Sequence, residues 1–318
     1  MTGSPPALPP AEVIELAERR QHARTARDFA AADELRDGIA AAGWVVTDGP
    51  DGFDLAPRPP YDVLADVSAL PDRSAEGAGP RAVVALLVEG WPEDVRTCVE
   101  ALMAHAPADV VVVGLDQAST DGAGAVLHEL ALAHPGRVRE LHVARSAGWA
   151  GGLNALLRAE PCRYFVTMDV SSVLEGDALS PLLDAMDADP SVVGAGWRGV
   201  NVDVDDAWRS FLDAGPGEVD ALLGYLAAFR RDALVAAGGA HPKARFYRNA
   251  DMELSLALRE AGGRLVAPVA AAVLPVRQDR HRGYHDSDPA LRDKESRKTY
   301  DRLLQRFRSH PDILAPRH

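Results

Sequence analysis

The chain has 318 residues, 47% hydrophobic and 25% charged, with a net charge of −13. This is a globular composition and excludes wholesale disorder, and the acidic balance argues against a general nucleic-acid binder, which needs a basic face for phosphates. Cys98 and Cys162 are the only cysteines, which excludes a disulfide framework and a cysteine-rich zinc module; no apolar run approaches the roughly 18–20 residues that span a bilayer.

Met1–Pro10 has neither a basic start nor an apolar core, so it reads as a disordered N-terminus and not as a secretory signal, and the expected location is cytoplasmic. Residues 11–55 read as a helical-hairpin module. Val13, Leu16 and Ala17, then Phe29, Ala32, Leu35 and Ile39, recur at helical spacing. Asp28 is a plausible N-cap and Gly43 a plausible C-cap. Trp44-Val45-Val46 and Phe53-Asp54-Leu55 flank Asp48-Gly49-Pro50-Asp51-Gly52 as a short β-hairpin. Residues 56–80, with Pro57, Pro59, Pro60, Pro71 and Pro80, read as a linker.

From Arg81 to Val276 the pattern is that of an α/β domain with a mostly parallel sheet. Val83–Val88 is a continuous apolar run, as a strand buried on both faces should be. A helix follows over Glu93–His105, a strand over Val110–Val113, a helix over Gly122–His134 and a strand over Val138–Val143. Then come a helix over Ala150–Ala159, a strand over Tyr164–Met168 and, later, an apolar strand over Val273–Val276. Residues 277–318 form a basic segment with eleven Lys/Arg against seven Asp/Glu. Its stretch Arg297–Arg308 carries an apolar stripe of Tyr300, Leu303, Leu304 and Phe307, suited to docking on the core or to peripheral membrane contact.

In such sheets ligands sit at the carboxyl ends of strands, so the polar residues there are the informative ones. Asp116-Gln117-Ala118-Ser119-Thr120-Asp121-Gly122 follows the second strand; Asp121 or Thr120 can cap the next helix, while Asp116 can accept from a nucleobase or ribose. Gly148-Trp149-Ala150-Gly151-Gly152-Leu153-Asn154 lets a ligand, or only a packed strand, approach the backbone closely. Asp169 ends the fourth strand, where it suits a turn or a hard divalent cation beside a diphosphate. Asp251 and Glu253 open a helix, where they complement its dipole or, for Asp251, serve as a general base. Arg280, His281 and Arg282 suit a leaving diphosphate. Trp197, Trp208, Tyr225 and Tyr247 can stack on an acceptor sugar or fill the core.

Taken in order, these segments resemble family 2 glycosyltransferases of the GT-A fold, from about Arg81 to Arg308. Gly224 to Phe229-Arg230-Arg231 and Asn249–Leu254 with Arg259 and Gly262 complete the set. The resemblance implies an inverting transferase of the hexosyltransferase class (EC 2.4), moving a sugar from a nucleotide-diphosphate donor to an acceptor hydroxyl. It implies a part in cell-surface glycan synthesis and a glycan, lipid-linked or small-molecule acceptor. Asp116, Ser119, Asp121, Gly148 and Asn154 would hold the donor nucleotide, and Arg280, His281 and Arg282 its diphosphate. Asp169 would open the family's Asp-X-Asp motif and, with His281, hold Mn²⁺ or Mg²⁺. Asp251 would be the catalytic base, and Trp197 and Tyr247 would meet the acceptor.

The sequence departs from the pattern at three points. Val88-Glu89-Gly90-Trp91-Pro92 replaces the usual apolar-Pro-X-Tyr-Asn, Ser171 stands where a second metal-binding Asp is expected, and Ala250 precedes the base where Glu is frequent. A hydroxyl is a poorer ligand than a carboxylate, so weaker metal affinity or a share of the role for Arg280–Arg282 is expected. A catalytically inactive nucleotide-binding or scaffold module is the alternative these departures raise.

The first module resembles the C-terminal helical region of cysteinyl-tRNA synthetases through Arg20, Ala23-Arg24, Asp28–Asp37, Gly43 and Asp48–Gly52. It carries none of that family's catalytic motifs. Docking or homo-oligomeric assembly is favoured over RNA contact, given the acidic charge, and no DNA partner is expected.

Overall fold

The computed structural model describes residues 8–49, 52–77 and 79–317. It divides into two units, Met1–Asp62 and Val63–His318.

The first unit is a helical hairpin followed by a β-hairpin. Helices Ala11–Thr25 and Phe29–Ala41 are joined at Asp28, whose side chain accepts from the Ala31 N–H at 3.1 Å. Gly43 follows the helix end with φ +80°, the left-handed conformation that stops a helix at least cost in glycine. Strands Trp44–Gly49 and Gly52–Pro57 pair antiparallel with Trp44 opposite Pro57. The Pro50-Asp51 part of the expected turn lies outside the described residues. Val13, Ala17, Ile39 and Trp44 form the small core. Arg20 is buried and donates to both oxygens of Asp48, at 2.7 and 3.0 Å, which holds that carboxyl below its usual range.

The second unit is built on an eight-stranded sheet. Its strands are β1 (Ala82–Val88), β2 (Val110–Gln117), β3 (Val138–Val143), β4 (Tyr164–Met168), β5 (Val192–Gly196), β6 (Gly217–Glu218), β7 (Leu226–Arg230) and β8 (Arg264–Ala267). Their spatial order is β6-β8-β5-β7-β4-β1-β2-β3. The run β4-β1-β2-β3 is parallel; β7 is antiparallel to both neighbours, and β6 is antiparallel to β8.

This topology positions the site. The chain leaves β1 toward β2 and β3, then returns to place β4 on the other side of β1. The order reverses at β1, and a crevice opens at the carboxyl ends of β1 and β4. Glu89 and Asp169 stand at those two ends.

Alternation along β1 explains its unbroken apolar run. Val84, Leu86 and Val88 pack with helices Pro92–His105, Ala123–Ala133 and Ser180–Ala188, while Val83 and Ala85 pack with Gly148–Ala159 and Ala250–Glu260. A three-stranded sheet, Phe211–Ala214, Gly199–Val202 and Ala221–Leu222, flanks the main one.

One expectation needs correction. The strand expected over Val273–Val276 is instead Val276–Gln278, paired antiparallel with Ser172–Leu174. Val273 is 71% exposed and Pro275 has no N–H to give a ladder, so apolar composition alone misplaced the element. Of the two readings of the apolar stripe, the C-terminal helix Pro289–Phe307 follows the first, docking on the core. Leu303 and Phe307 are fully buried against Val200, Val202, Trp208, Met252 and Leu256, with Leu304 packed beside them. The Tyr300 hydroxyl donates to the Trp208 carbonyl at 2.7 Å. Among the described residues no helix is long and apolar enough to cross a membrane.

Candidate active site

Asp169 follows β4 and is the hub of the crevice. Its Oδ1 accepts from the Ser171 N–H at 2.8 Å and from the Ser171 hydroxyl, and its Oδ2 meets His281 Nε2 at 2.8 Å. His281 Nδ1 meets the Tyr247 hydroxyl at 2.8 Å. Burial pushes the Asp169 carboxyl up, but the His281 and Ser171 bonds outweigh it and hold the group below its usual range. Glu89, at the end of β1, accepts from Gln117 Nε2 at 3.0 Å. Burial, then the nearby Asp169 charge, push its carboxyl up.

Asp251 sits in the first turn of helix Ala250–Glu260. Asn249 leads into that helix with φ +67°, a conformation Asn tolerates, and its side chain donates to the Ser296 carbonyl at 3.1 Å. Asp251 Oδ2 accepts from the Gly224 N–H at 3.0 Å and Oδ1 from the Met252 N–H at 2.9 Å. Burial pushes the carboxyl up to about 6, against the pull of those bonds. The Tyr225 carbonyl accepts from the Asp169 N–H at 3.2 Å, so the chain at 224–225 ties Asp251 to the end of β4.

Two clefts meet here. The first is lined by Glu89, Trp91, Asp94, Asp169, Arg245 and Arg282, and the second by Trp197, Arg198, Phe211, Arg248, Arg280 and Tyr284. Tyr225, Tyr247, Asp251 and His281 line both. The structure therefore gathers Asp169, Asp251, His281 and Tyr247 at one junction. It separates Arg280 from Arg282: Arg282 pairs with Asp94 at 3.0 Å on the first side, and Arg280 with Asp286 at 2.6 Å on the second.

The residues expected at the nucleotide are placed apart from this junction. Asp116 is buried at the end of β2, with Oδ1 accepting from the Ser119 N–H at 3.0 Å and Oδ2 against His142 Nδ1 at 3.1 Å. His142 Nε2 meets Glu140 at 2.8 Å, and Glu140 meets His128 Nδ1 at 2.8 Å. Burial opposes both ionised forms, yet these bonds hold Asp116 below its usual range and raise His142. Ser119 Oγ is buried with no hydrogen-bond partner among the described residues.

Asp121 serves as backbone scaffold, accepting from Trp91 N–H at 2.6 Å and Ala123 N–H at 3.2 Å. Asn154 brackets Ala240, donating to its carbonyl at 2.7 Å and accepting from its N–H at 2.8 Å. Gly148 has φ +71°, and a Cβ there would stand 2.9 Å from the Arg245 carbonyl oxygen, so the loop requires glycine. Trp197 is buried with its Nε1–H donating to the Ala271 carbonyl at 2.9 Å; it lines the second cleft.

Sequence reading missed His142, Glu140 and Arg198. A neutral-looking strand position gives no sign that its imidazole reaches a carboxylate across a parallel pair. The register Asp116 opposite His142 supplies that contact.

The glycosyl transferase family 2 model matches residues 82–251, which spans the crevice and ends on Asp251. The chain belongs to glycosyl transferase family 2. This family 2 chain also matches the cysteinyl-tRNA ligase anticodon binding domain over residues 6–53. Over 54 residues it is 56% identical to the cysteine–tRNA ligase of Opitutus terrae, covering 17% of this chain and 12% of that protein. Over 88 residues it is 39% identical to the polyprenol monophosphomannose synthase of Mycolicibacterium smegmatis, covering 26% of this chain and 33% of that one. The chain thus spans a third or less of these curated relatives. The crystal structure of GalNAc-T7 with UDP, GalNAc and Mn²⁺ shares the GT-A fold, with a TM-score of 0.58 at 15% identity, over 71% of this chain and 48% of that one.

A divalent cation fits the residues present, as a site shared with a ligand. One carboxylate and one imidazole, Asp169 and His281, already lie in contact, and Glu89 adds a second carboxylate nearby. Among the described residues no three His, Cys, Asp or Glu side chains form a metal cage. Carboxylate plus substrate phosphates is the ordinary way Mg²⁺ or Mn²⁺ is held.

Proposed function

We propose that the protein is an inverting glycosyltransferase that moves a sugar from a nucleotide-diphosphate donor to an acceptor hydroxyl. The observation that carries this reading is the placement of Asp251. It lines both clefts, and its carboxyl is raised to about 6, near the pH at which a base must work.

On this reading the donor lies along the carboxyl ends of β1, β2 and β4, with Asp116 toward the nucleobase. Asp169 and His281 would hold a divalent cation, which supplies positive charge to the diphosphate. Arg282, positioned by Asp94, faces the same charge from the first cleft. The acceptor enters the second cleft beside Trp197 and Tyr247. Asp251 takes the proton from its hydroxyl as that oxygen attacks the anomeric carbon from the side opposite the diphosphate. The two backbone N–H bonds fix the orientation of Asp251, which makes positioning a large part of the rate gain. Asp251→Asn is expected to lower transfer by about 10²–10⁴-fold with donor binding intact; loss of donor binding in step with transfer would contradict the role.

The N-terminal unit supports a second reading for itself alone. Its match to an anticodon binding domain favours either a docking module or an RNA contact. RNA that copurifies at physiological salt and is lost on deleting residues 1–55 would establish the latter; an RNA-free protein whose assembly state changes on that deletion would establish docking.

A further inference from the structure

We infer that the acceptor carries an anionic group, of the phosphate monoester type, held by Arg198 and Arg248 in the second cleft. This rests on the transferase reading above and names the acceptor's chemistry.

The cations of that cleft divide into two kinds. Arg280 is neutralised by Asp286 at 2.6 Å, Arg277 by Glu175 at 3.3 Å and by Asp279, and His281 lies against Asp169. Arg198 and Arg248 make no ion pair among the described residues. The Arg198 guanidinium lies 4.6 Å from the centre of the Trp197 ring. Arg248 lies 5.2 Å from the Tyr284 ring and donates to its hydroxyl at 3.0 Å. Aromatic stacking and a neutral hydroxyl fix the direction of a guanidinium without cancelling its charge, and leave its fork free for an anion.

Both arginines line the cleft that Asp251 also lines. The Tyr225 phenol is pushed up first by burial and then by the Asp251 and Asp169 charges, while Arg198 and Arg248 pull it down. The two guanidiniums therefore lie within electrostatic reach of Tyr225, which lines the cleft together with Asp251.

The donor side is mixed in charge, with Glu89, Asp94 and Asp169 beside Arg245 and the Asp94-paired Arg282. Neither Arg198 nor Arg248 lines that side. In a chain of net charge −13, two arginines that make no ion pair among the described residues, in the cleft that Asp251 lines, select an anionic partner by charge. The second cleft encloses about 740 Å³, enough for a sugar-sized group with a phosphate. Holding a remote phosphate would spend binding energy on orienting the attacking hydroxyl toward Asp251.

The test uses the full chain with the donor side saturated by whichever of UDP, GDP or dTDP binds in Mn²⁺. Glucose 1-phosphate and glucose are then titrated calorimetrically, and phosphatidylcholine vesicles with and without phosphatidic acid are tested by flotation. The expected result is a phosphate-dependent signal in one arm, at least about tenfold weaker for the neutral counterpart. It should fall by about tenfold or more in Arg198→Gln/Arg248→Gln, with nucleotide binding unchanged and partial recovery in the double lysine variant. A signal only with glucose 1-phosphate assigns a soluble acceptor, and one only with phosphatidic acid a lipid-borne one. Equal affinity for glucose, no phosphate-dependent signal in either arm, or a signal indifferent to the double variant overturns the inference. If no nucleotide binds while glucose 1-phosphate still does, the transferase reading fails and the anion site stands.

Discussion

Asp169 and His281 are 112 positions apart in sequence and meet at 2.8 Å through Oδ2 and Nε2. An ionised carboxylate can only accept, so Nε2 carries the proton in this contact, and in the neutral imidazole Nδ1 accepts from the Tyr247 hydroxyl. One chain of bonds thus links the end of β4, His281 in the segment after strand Val276–Gln278, and the aromatic wall where the two clefts meet.

The pH dependence follows from Asp251. Its folded pKa, raised to about 6 by burial, leaves the carboxyl protonated and unable to act as a base below that value. The rate of transfer is expected to rise with pH through about 6 and level off above it, a limb absent from Asp251→Asn. A group whose folded pKa exceeds its unfolded value favours folding below the unfolded pKa and loses that contribution as pH rises through the folded one. Asp251→Asn is therefore expected to keep or raise Tm at neutral pH, and thermal melts check this apart from activity.

Among the described residues the Asp116 carboxylate is held by His142 and the Ser119 N–H. His142→Leu leaves the buried carboxylate short of a partner. It is expected to cost about 1–3 kcal/mol of stability and to weaken nucleotide binding more than Asp251→Asn does. Denaturant melts and calorimetry together test this; unchanged nucleotide affinity would remove Asp116 from the donor site.

Gly148→Ala is expected to destabilise by roughly 1–3 kcal/mol, because alanine at a positive φ is strained and its Cβ meets the Arg245 carbonyl at 2.9 Å. Arg245 precedes Phe246 and Tyr247 in the lining of the first cleft, so the same change should weaken donor binding. A variant with normal Tm and normal affinity would show that the loop yields.

The sheet was legible because its strands, buried on both faces, read as apolar runs such as Val83–Val88 and Val110–Val113. Asp169 and Asp251 were legible because each carboxylate stands at the end of a strand or the start of a helix. Their convergence with His281 was expected from the family resemblance alone; apolar content by itself placed the strand before His281 too early. Asp121 and Asn154 illustrate the opposite limit. Short polar side chains near a strand end suit a ligand and a backbone cap equally well, and only the structure shows which N–H and carbonyl groups they satisfy. That Arg198 and Arg248 make no ion pair among the described residues was invisible for the same reason: sequence shows the charge and not its partner.

The most direct test of the account is calorimetric titration of UDP, GDP and dTDP into the full chain, with and without Mn²⁺, beside Asp169→Ala. The account predicts that one nucleotide binds with Mn²⁺ and that this gain is lost in the variant. Binding of none of the three, in either condition, would contradict it.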